Sequence, residues 1–305
     1  MAPSMPPSMA PSMAPGQEPA IRAVFEERPL RLLLVPATVL VVLVLGAPLA
    51  LLFRISLNDF SPMTLMTDAL TLNNYRKVLT DPWYQETLIT TVVVALISTL
   101  GALVLAMPSA YALARMQSRW KSLCVILTLF PLMIGGVVRT SGWMALAGRD
   151  GALNATLMGL GLIQQPFQMM YTTTMVMVGL LALAMPYMIL TISATIEAIP
   201  RQLEEAALNL GASPLMVFRR VIMPLAWPGI TTACVLVFIM AMNAYSTPRL
   251  LGGPQFRMMS PAIYEEFTRS HNWPGGAALA FMLLVTTIVL ITGTSVLAGR
   301  KAVRR

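Results

Sequence analysis

Six long apolar runs alternate with short polar segments along the chain. A helix that crosses a bilayer needs about 20 apolar residues, and each run is close to that length or longer. Asp and Glu are absent from all six runs, and Arg139 is the only basic residue within them. A charge near the centre of a membrane helix costs about 2.5–3.5 kcal/mol on insertion scales. The runs are therefore predicted to be membrane helices, at about residues 32–53, 88–114, 122–145, 172–196, 225–245 and 277–299.

Composition supports an all-α membrane protein. The 305 residues are 56% hydrophobic and 11% charged, whereas a soluble domain has about 25% charged residues. This excludes a soluble globule, and it argues against a nucleic-acid-binding interpretation of the net charge of +8. No P-loop and no zinc motif is present, so we expect a chain that is not an enzyme and binds no cofactor or metal itself. Residues 151–163 are apolar but too short to span, which predicts a re-entrant or surface helix.

The two ends of the chain are predicted to lie on the cytoplasmic side. With that orientation the inner segments hold thirteen basic and six acidic residues, and the outer segments hold eight and seven. An excess of Lys and Arg marks the cytoplasmic side of a membrane protein. Residues 1–15 repeat Ser, Met and Pro and hold no apolar run that could bury a face, so we expect a disordered tail over 1–29. The membrane domain is expected over 30–300, followed by a basic tail at 301–305.

The inner loop at 197–224 is predicted to fold as two short helices joined by a glycine turn. Pro200 suits the first position of a helix, and Gly211 suits the position after its end. Ser213 and Pro214 suit the cap and first position of a second helix, which is expected to stop near Pro224. One apolar stripe at helical spacing is formed by Ile199, Leu203, Ala206, Ala207 and Leu210.

Charges and small residues in this loop suit contact with another protein. Ala206 and Ala207 would let a partner's backbone approach closely, and four charged side chains could pair with that partner: Glu204, Glu205, Arg219 and Arg220. The alternative is a simple amphipathic helix pair at the surface without a partner.

The loop resembles the EAA motif of binding-protein-dependent ABC importer permeases. Glu205, Ala206 and Ala207 are followed at the motif's spacing by Gly211 and then by Val221, Met223 and Pro224. The motif is usually written EAA-x3-G-x9-I-x-L-P, so Val221 and Met223 are conservative departures. The resemblance implies a six-helix, type I ABC importer bundle whose loop docks on a separate ABC ATPase dimer that binds ATP and Mg. The coupling residues that it implies are Glu204, Glu205, Ala206, Ala207, Gly211, Arg219, Arg220 and Pro224.

The resemblance extends over about residues 30–300. Four further segments look like the spermidine/putrescine permease branch, and closest to its first permease subunit: Asn74–Tyr75, Asp81–Tyr84, Val138–Trp143 and Thr247–Gly253. It implies a multi-pass protein of the bacterial inner membrane, in contact with lipid, with a second related permease and a periplasmic solute-binding protein. A polyamine is the implied solute. Phosphonate, ferric ion or another small organic solute, and a secondary transporter, remain alternatives.

Polar and aromatic residues at the span ends are the candidates for the solute path. They are Arg139, Trp143, Tyr187, Asn243, Tyr245 and Ser246. Aromatic faces bind ammonium groups with about 0.5–2 kcal/mol each, which suits a polyamine. Arg139 instead suits an anion, and no carboxylate lies within the runs. The alternative for each residue is an ordinary role in anchoring or packing the helix ends.

Overall fold

The computed structural model describes residues 27–303, with side chains from 35 to 294. Most of the expected tail at 1–29 lies outside the described residues, but the first helix already begins at Glu27. The last helix continues to Val303, so the expected basic tail at 301–305 is partly helical. The chain divides into two compact units, residues 1–54 and residues 55–305, which are described separately.

All the regular structure in residues 27–303 is helical, apart from one isolated β-bridge between Asp59 and Thr67. The helices, numbered in chain order, are α1 (Glu27–Ser56), α2 (Asn73–Thr80), α3 (Pro82–Arg115), α4 (Trp120–Met133), α5 (Gly136–Ala147), α6 (Ala152–Gly159), α7 (Thr173–Glu197), α8 (Gln202–Asn209), α9 (Pro214–Val217), α10 (Met223–Met242), α11 (Ser246–Leu251), α12 (Met259–Thr268) and α13 (Trp273–Val303). A π-helical turn, Phe218–Ile222, joins α9 to α10.

Five of the six predicted spans are single long helices. The apolar windows within α1, α3, α7, α9 to α10 and α13 are each long and hydrophobic enough to cross a bilayer. Their ends differ from the sequence limits because capping fixes them. Helix α3, for example, begins six residues before the apolar run, because the Asp81 carboxylate accepts a 2.9 Å hydrogen bond from the Trp83 amide and Pro82 takes the first position.

The third predicted span, 122–145, is not one straight helix. It is broken at Ile134 and Gly135, and the helical segment that follows is bent by 98° from α4. Gly135 is extended, with φ −57° and ψ 146°, which ends the i to i−4 hydrogen-bonding pattern there. Hydropathy alone does not reveal the break, because the residues on both sides of it are apolar.

The core between α3, α7 and α10 contains small side chains at helical spacing. Ala102, Ala106 and Ala110 recur every four residues along α3, and all are fully buried. Met188 and Ile192 of α7 pack in the same cluster. Small residues on one face allow membrane helices to approach closely, and packing then holds them together.

Helices α7 and α10 approach each other closely at Gly229. A Cβ atom placed there would lie 2.0 Å from Thr195 Oγ1 and 2.6 Å from Thr195 Cβ. Such distances are far below van der Waals contact, so only glycine fits where α10 meets Thr195 of α7.

The short apolar stretch predicted at 151–163 forms helix α6, which a buried asparagine fixes to its surroundings. The Asn154 side chain is fully buried and donates from Nδ2 to the carbonyls of Gly148, Arg149 and Phe167 at 3.0–3.2 Å. Its Oδ1 accepts from the Phe167 amide at 3.0 Å. Eight residues are too few to span a bilayer, so α6 does not add a membrane crossing.

Candidate functional site

The segment 197–224 begins its first helix later than the sequence indicates. Helix α8 starts at Gln202 with Arg201 as its cap residue, so Pro200 precedes the helix and is not its first residue. The reason is the turn before it, where the amide of Leu203 already bonds to the Pro200 carbonyl at 3.2 Å. Glu204 and Glu205 lie in the first turn, where the positive end of the helix dipole favours acidic side chains.

Gly211 ends this helix as predicted, and the geometry explains why glycine is needed. Its φ is +85°, in the left-handed region. The Gly211 amide bonds to the Leu208 carbonyl at 2.9 Å, and the Ala212 amide bonds to the Ala207 carbonyl at 3.1 Å. These two bonds form a Schellman motif, which satisfies carbonyls left open at the helix end. The turn between α8 and α9 is therefore fixed by the backbone.

Ser213 caps the second helix, as predicted, but that helix does not stop at Pro224. The Ser213 hydroxyl accepts from the Met216 amide at 3.4 Å, and Pro214 follows as the first helical residue. The chain then continues through the π-helical turn into α10, so that residues 214–242 form one apolar helix. Pro224 lies at the start of α10, just after the π-helical turn in which the Met223 amide bonds to the Phe218 carbonyl five residues earlier.

The predicted apolar stripe splits between the interior and the surface. Ile199 is buried and Ala207 is half-buried, while Ala206 is exposed and Leu203 and Leu210 are 45% and 89% exposed; Leu208, which lies outside the predicted stripe, is 46% exposed. Leu215 is also exposed, and it lines a shallow pocket together with Ser213, Met216, Arg219 and Arg220. The segment thus exposes leucines beside two arginines. Exposed apolar surface of this kind is typical of a contact site for another protein.

Glu204 faces the interior of the protein. Its carboxylate forms an ion pair with Arg115, the last residue of α3, and accepts a 3.2 Å hydrogen bond from the Tyr111 hydroxyl. The two charged side chains are only 14% and 13% exposed. The structure thus pairs Glu204 within the chain, and its contact with another protein stays a prediction, whereas Glu205, Arg219 and Arg220 are exposed.

Sequence reasoning missed Arg115 and Tyr111, which lie about 90 residues earlier in the chain than Glu204. Arg115 also donates to the Ile199 carbonyl at 3.2 Å, and Arg201 donates to the Arg115 carbonyl at 2.6 Å. A second, more exposed pair joins Lys121 and Glu197 at 2.9 Å. In the sequence, Arg115 stands out only because it follows an apolar run. That position indicates a membrane boundary but does not identify Glu204 as the partner of Arg115.

Three of the six path candidates lie on elements that pack together. Arg139 and Trp143 share one face of α5, and α5 packs against α11, which begins at Ser246. The Nη1 atom of Arg139 is buried and has no hydrogen-bond partner within residues 27–303. Trp143 packs on an apolar cluster around Leu180 and Leu251, so most of its contacts are structural.

The other three candidates have different surroundings. Tyr187 packs against the alanine-rich core of α3, α7 and α10. Asn243 is exposed and bonds to the Ile239 carbonyl of its own helix at 2.9 Å. The rings of Tyr245 and Tyr264 have centroids 4.8 Å apart and are tilted by 47°.

A polar cluster that the sequence did not indicate joins the N-terminal ends of α3 and α13. The Tyr84 hydroxyl donates to Glu266 at 3.1 Å, and Asn272 donates to the same carboxylate at 3.0 Å. On the neighbouring turn, Arg249 pairs with Glu265 at 2.6 Å. These contacts fix α12 between the two long helices.

Comparison with known proteins identifies the chain's family. Residues 89–302 match the family described as "Binding-protein-dependent transport system inner membrane component". The chain is 36% identical over 215 residues to the spermidine/putrescine transport system permease protein PotB of Escherichia coli, which covers 70% of this chain and 78% of that protein. It is 32% identical to PotB of Haemophilus influenzae, over 73% of this chain and 77% of that protein. The trehalose transport system permease protein SugB of Mycobacterium tuberculosis is 30% identical, over 80% and 85%.

Solved structures show the same fold at low sequence identity. A chain of a bacterial ABC transporter for the import of alginate matches with a TM-score of 0.75 and 15% identity, over 93% of this chain and 99% of that one. A chain of the MetNI methionine ABC transporter matches with a TM-score of 0.54 and 17% identity, over 73% and 97%. The fold match and the family match agree with one another. The chain belongs to the inner membrane components of binding-protein-dependent transport systems, as the permease subunit of an ABC importer.

Proposed function

We propose that the chain forms part of the path by which a polyamine, such as spermidine or putrescine, enters a bacterial cell. A periplasmic binding protein delivers the solute, a second and related permease completes the path, and a separate ATPase dimer binds ATP and Mg. Both ends of the chain lie on the cytoplasmic side in this arrangement, because the basic residues are concentrated there.

The coupling proposal rests on the rigid surface that segment 197–224 forms. Its two helices are fixed relative to each other by the Schellman turn at Gly211 and the cap at Ser213. Exposed leucines and the exposed Arg219 and Arg220 lie on this rigid element. A rigid, partly apolar surface can transmit a movement of its partner, whereas a flexible loop would absorb it.

The polyamine assignment rests on the permeases named for spermidine and putrescine, which are 32–36% identical to this chain. The test is uptake by the intact complex in proteoliposomes, with its ATPase, second permease and binding protein. We expect ATP-dependent uptake of labelled spermidine or putrescine, with excess unlabelled polyamine competing. Uptake of a phosphonate or of trehalose without uptake of either polyamine would contradict the assignment.

Arg139 supports a second candidate, an anionic solute. A buried guanidinium Nη1 without a partner in the described chain is an available donor for a carboxylate or a phosphonate. The same uptake assay separates the two candidates, because Arg139→Gln should abolish transport of an anion. Transport of a polyamine should fall by less than about twofold, since no ammonium group binds a guanidinium.

Glu205→Arg should uncouple uptake from ATP hydrolysis. Glu205 is exposed in the first turn of α8, so reversing its charge alters the proposed docking surface without breaking an internal contact. We expect normal insertion but uptake reduced by at least about tenfold, because a buried interfacial charge of the wrong sign costs several kcal/mol. The matched control is Gln202→Arg, which adds a charge to the same exposed turn. Normal uptake by Glu205→Arg would exclude the proposed contact.

A further inference from the structure

We infer that the last turn of α3 is a second mechanical connection for segment 197–224, and that Arg115 and Tyr111 are positioning residues for transport. The inference rests on the proposed coupling function of the segment. It assigns to these two residues, and to Glu204, the role of passing the segment's movement to α3.

Five contacts join the C-terminal end of α3 to the segment. Arg115 pairs with Glu204 and donates to the Ile199 carbonyl, and Arg201 donates back to the Arg115 carbonyl. Tyr111 contacts α8 and the π-helical turn that follows α9. Its hydroxyl bonds to Glu204 of α8, and its ring packs edge-on against Phe218 with centroids 5.3 Å apart.

The segment has two different kinds of connection to the membrane helices. At its C-terminal end it continues through the π-helical turn into α10 as one helix. At the other side its connection to α3 is made by side chains alone. The backbone joins the segment continuously to α7 at Glu197 and to α10, whereas only the contacts of Arg115, Tyr111 and Arg201 join it directly to the end of α3.

Burial indicates that these contacts fix a position. Arg115 and Glu204 are 14% and 13% exposed, whereas the neighbouring Lys121 and Glu197 pair is 34% and 42% exposed. Solvent screens an exposed pair and leaves its side chains free to move. A largely buried pair with further hydrogen bonds holds one geometry, because loss of either partner leaves an uncompensated charge.

The test compares variants that break the connection with a matched variant of the exposed pair. The variants that break the connection are Arg115→Gln and Tyr111→Phe. The second keeps the aromatic ring and removes only the hydroxyl. Arg115→Glu combined with Glu204→Arg restores an ion pair with its charges exchanged. Lys121→Gln is the control, because it removes one basic charge from the same end of the bundle.

The first measurement does not depend on the identity of the solute. Spin labels at Ser109→Cys on α3 and Leu208→Cys on α8, with Cys124 and Cys234 replaced by serine, report the distance between helix and segment in the intact complex. We expect one narrow distance distribution in the otherwise unaltered protein and in Lys121→Gln. Arg115→Gln should broaden the distance distribution. The double variant Arg115→Glu with Glu204→Arg should narrow it again. An unchanged distribution in Arg115→Gln would overturn the inference, whatever solute is carried.

The second measurement is the ratio of solute taken up to ATP hydrolysed. Arg115→Gln should keep ATP hydrolysis within about twofold of normal while uptake falls at least about fivefold, and the charge exchange should restore at least half of the uptake. A parallel fall of hydrolysis and uptake would indicate a purely structural role and contradict the inference. If only the polyamine assignment is wrong, the complex takes up a different solute. Arg115→Gln then still lowers the ratio of solute taken up to ATP hydrolysed.

Discussion

Replacing Gly211 by proline is expected to abolish uptake while the chain still inserts into the membrane. Gly211 has φ +85°, and proline is restricted to about −65°. Proline also lacks the N–H that bonds to the Leu208 carbonyl. The turn between α8 and α9 must then rearrange, and the proposed docking surface loses its shape. We expect uptake to fall by more than about tenfold, because proline cannot adopt the positive φ that this turn requires.

Gly211→Asn is the matched control, because asparagine tolerates left-handed backbone geometry and keeps the N–H. It should retain at least half of the uptake of the unaltered protein. The measurements are solute uptake and ATP hydrolysis in proteoliposomes, with the amount of inserted protein determined in parallel. Equal uptake by Gly211→Pro and Gly211→Asn would exclude a rigid turn as part of the mechanism.

Replacing Gly229 by leucine is expected to have the largest effect on stability. A Cβ atom there would lie 2.6 Å from Thr195 Cβ, so α7 and α10 would have to separate. Overpacking of a well-packed core costs about 1–3 kcal/mol, and more when backbones must move. We expect a loss of about 3 kcal/mol or more, seen as a lower Tm of the purified protein and poor assembly of the complex.

Gly142→Leu provides the control for the added side chain. Gly142 lies in the interior of α5 and has no atom within 4 Å of an added Cβ. This variant should change the Tm little. A double-mutant cycle with Gly229→Ala and Thr195→Gly isolates the clash. If Gly229→Ala is as destabilising with Thr195→Gly as without it, the close approach of the two helices is not its cause.

Much of the architecture could be predicted from local signals. Apolar length and the absence of acids located the long helices, and Gly211 and Ser213 located the turn between α8 and α9. Three details of the backbone differ from the prediction. The third span bends at Ile134 and Gly135, Pro200 precedes α8, and the helix after Ser213 continues past Pro224 through a π-helical turn.

The partners of individual side chains could not be predicted. Glu204 and Glu205 are neighbours of the same type, yet one is buried against Arg115 and the other is exposed. A helix turns by about 100° per residue, so adjacent side chains face different surroundings. The rotation of α8 decides which glutamate faces α3, and packing against distant parts of the chain sets that rotation.

The sequence by itself determined the class of the protein and the position of its proposed coupling segment. The class follows from the length of the apolar runs and the sorting of charges, and the position of the segment follows from its resemblance to the EAA motif; all of these are local features of the sequence. The tertiary structure alone decided that Arg115 and Tyr111 hold the segment, that the Nη1 atom of Arg139 is buried without a partner in the described chain, and that Gly229 lies against Thr195. These contacts join residues far apart in the chain, and their geometry exists only once the helices have packed.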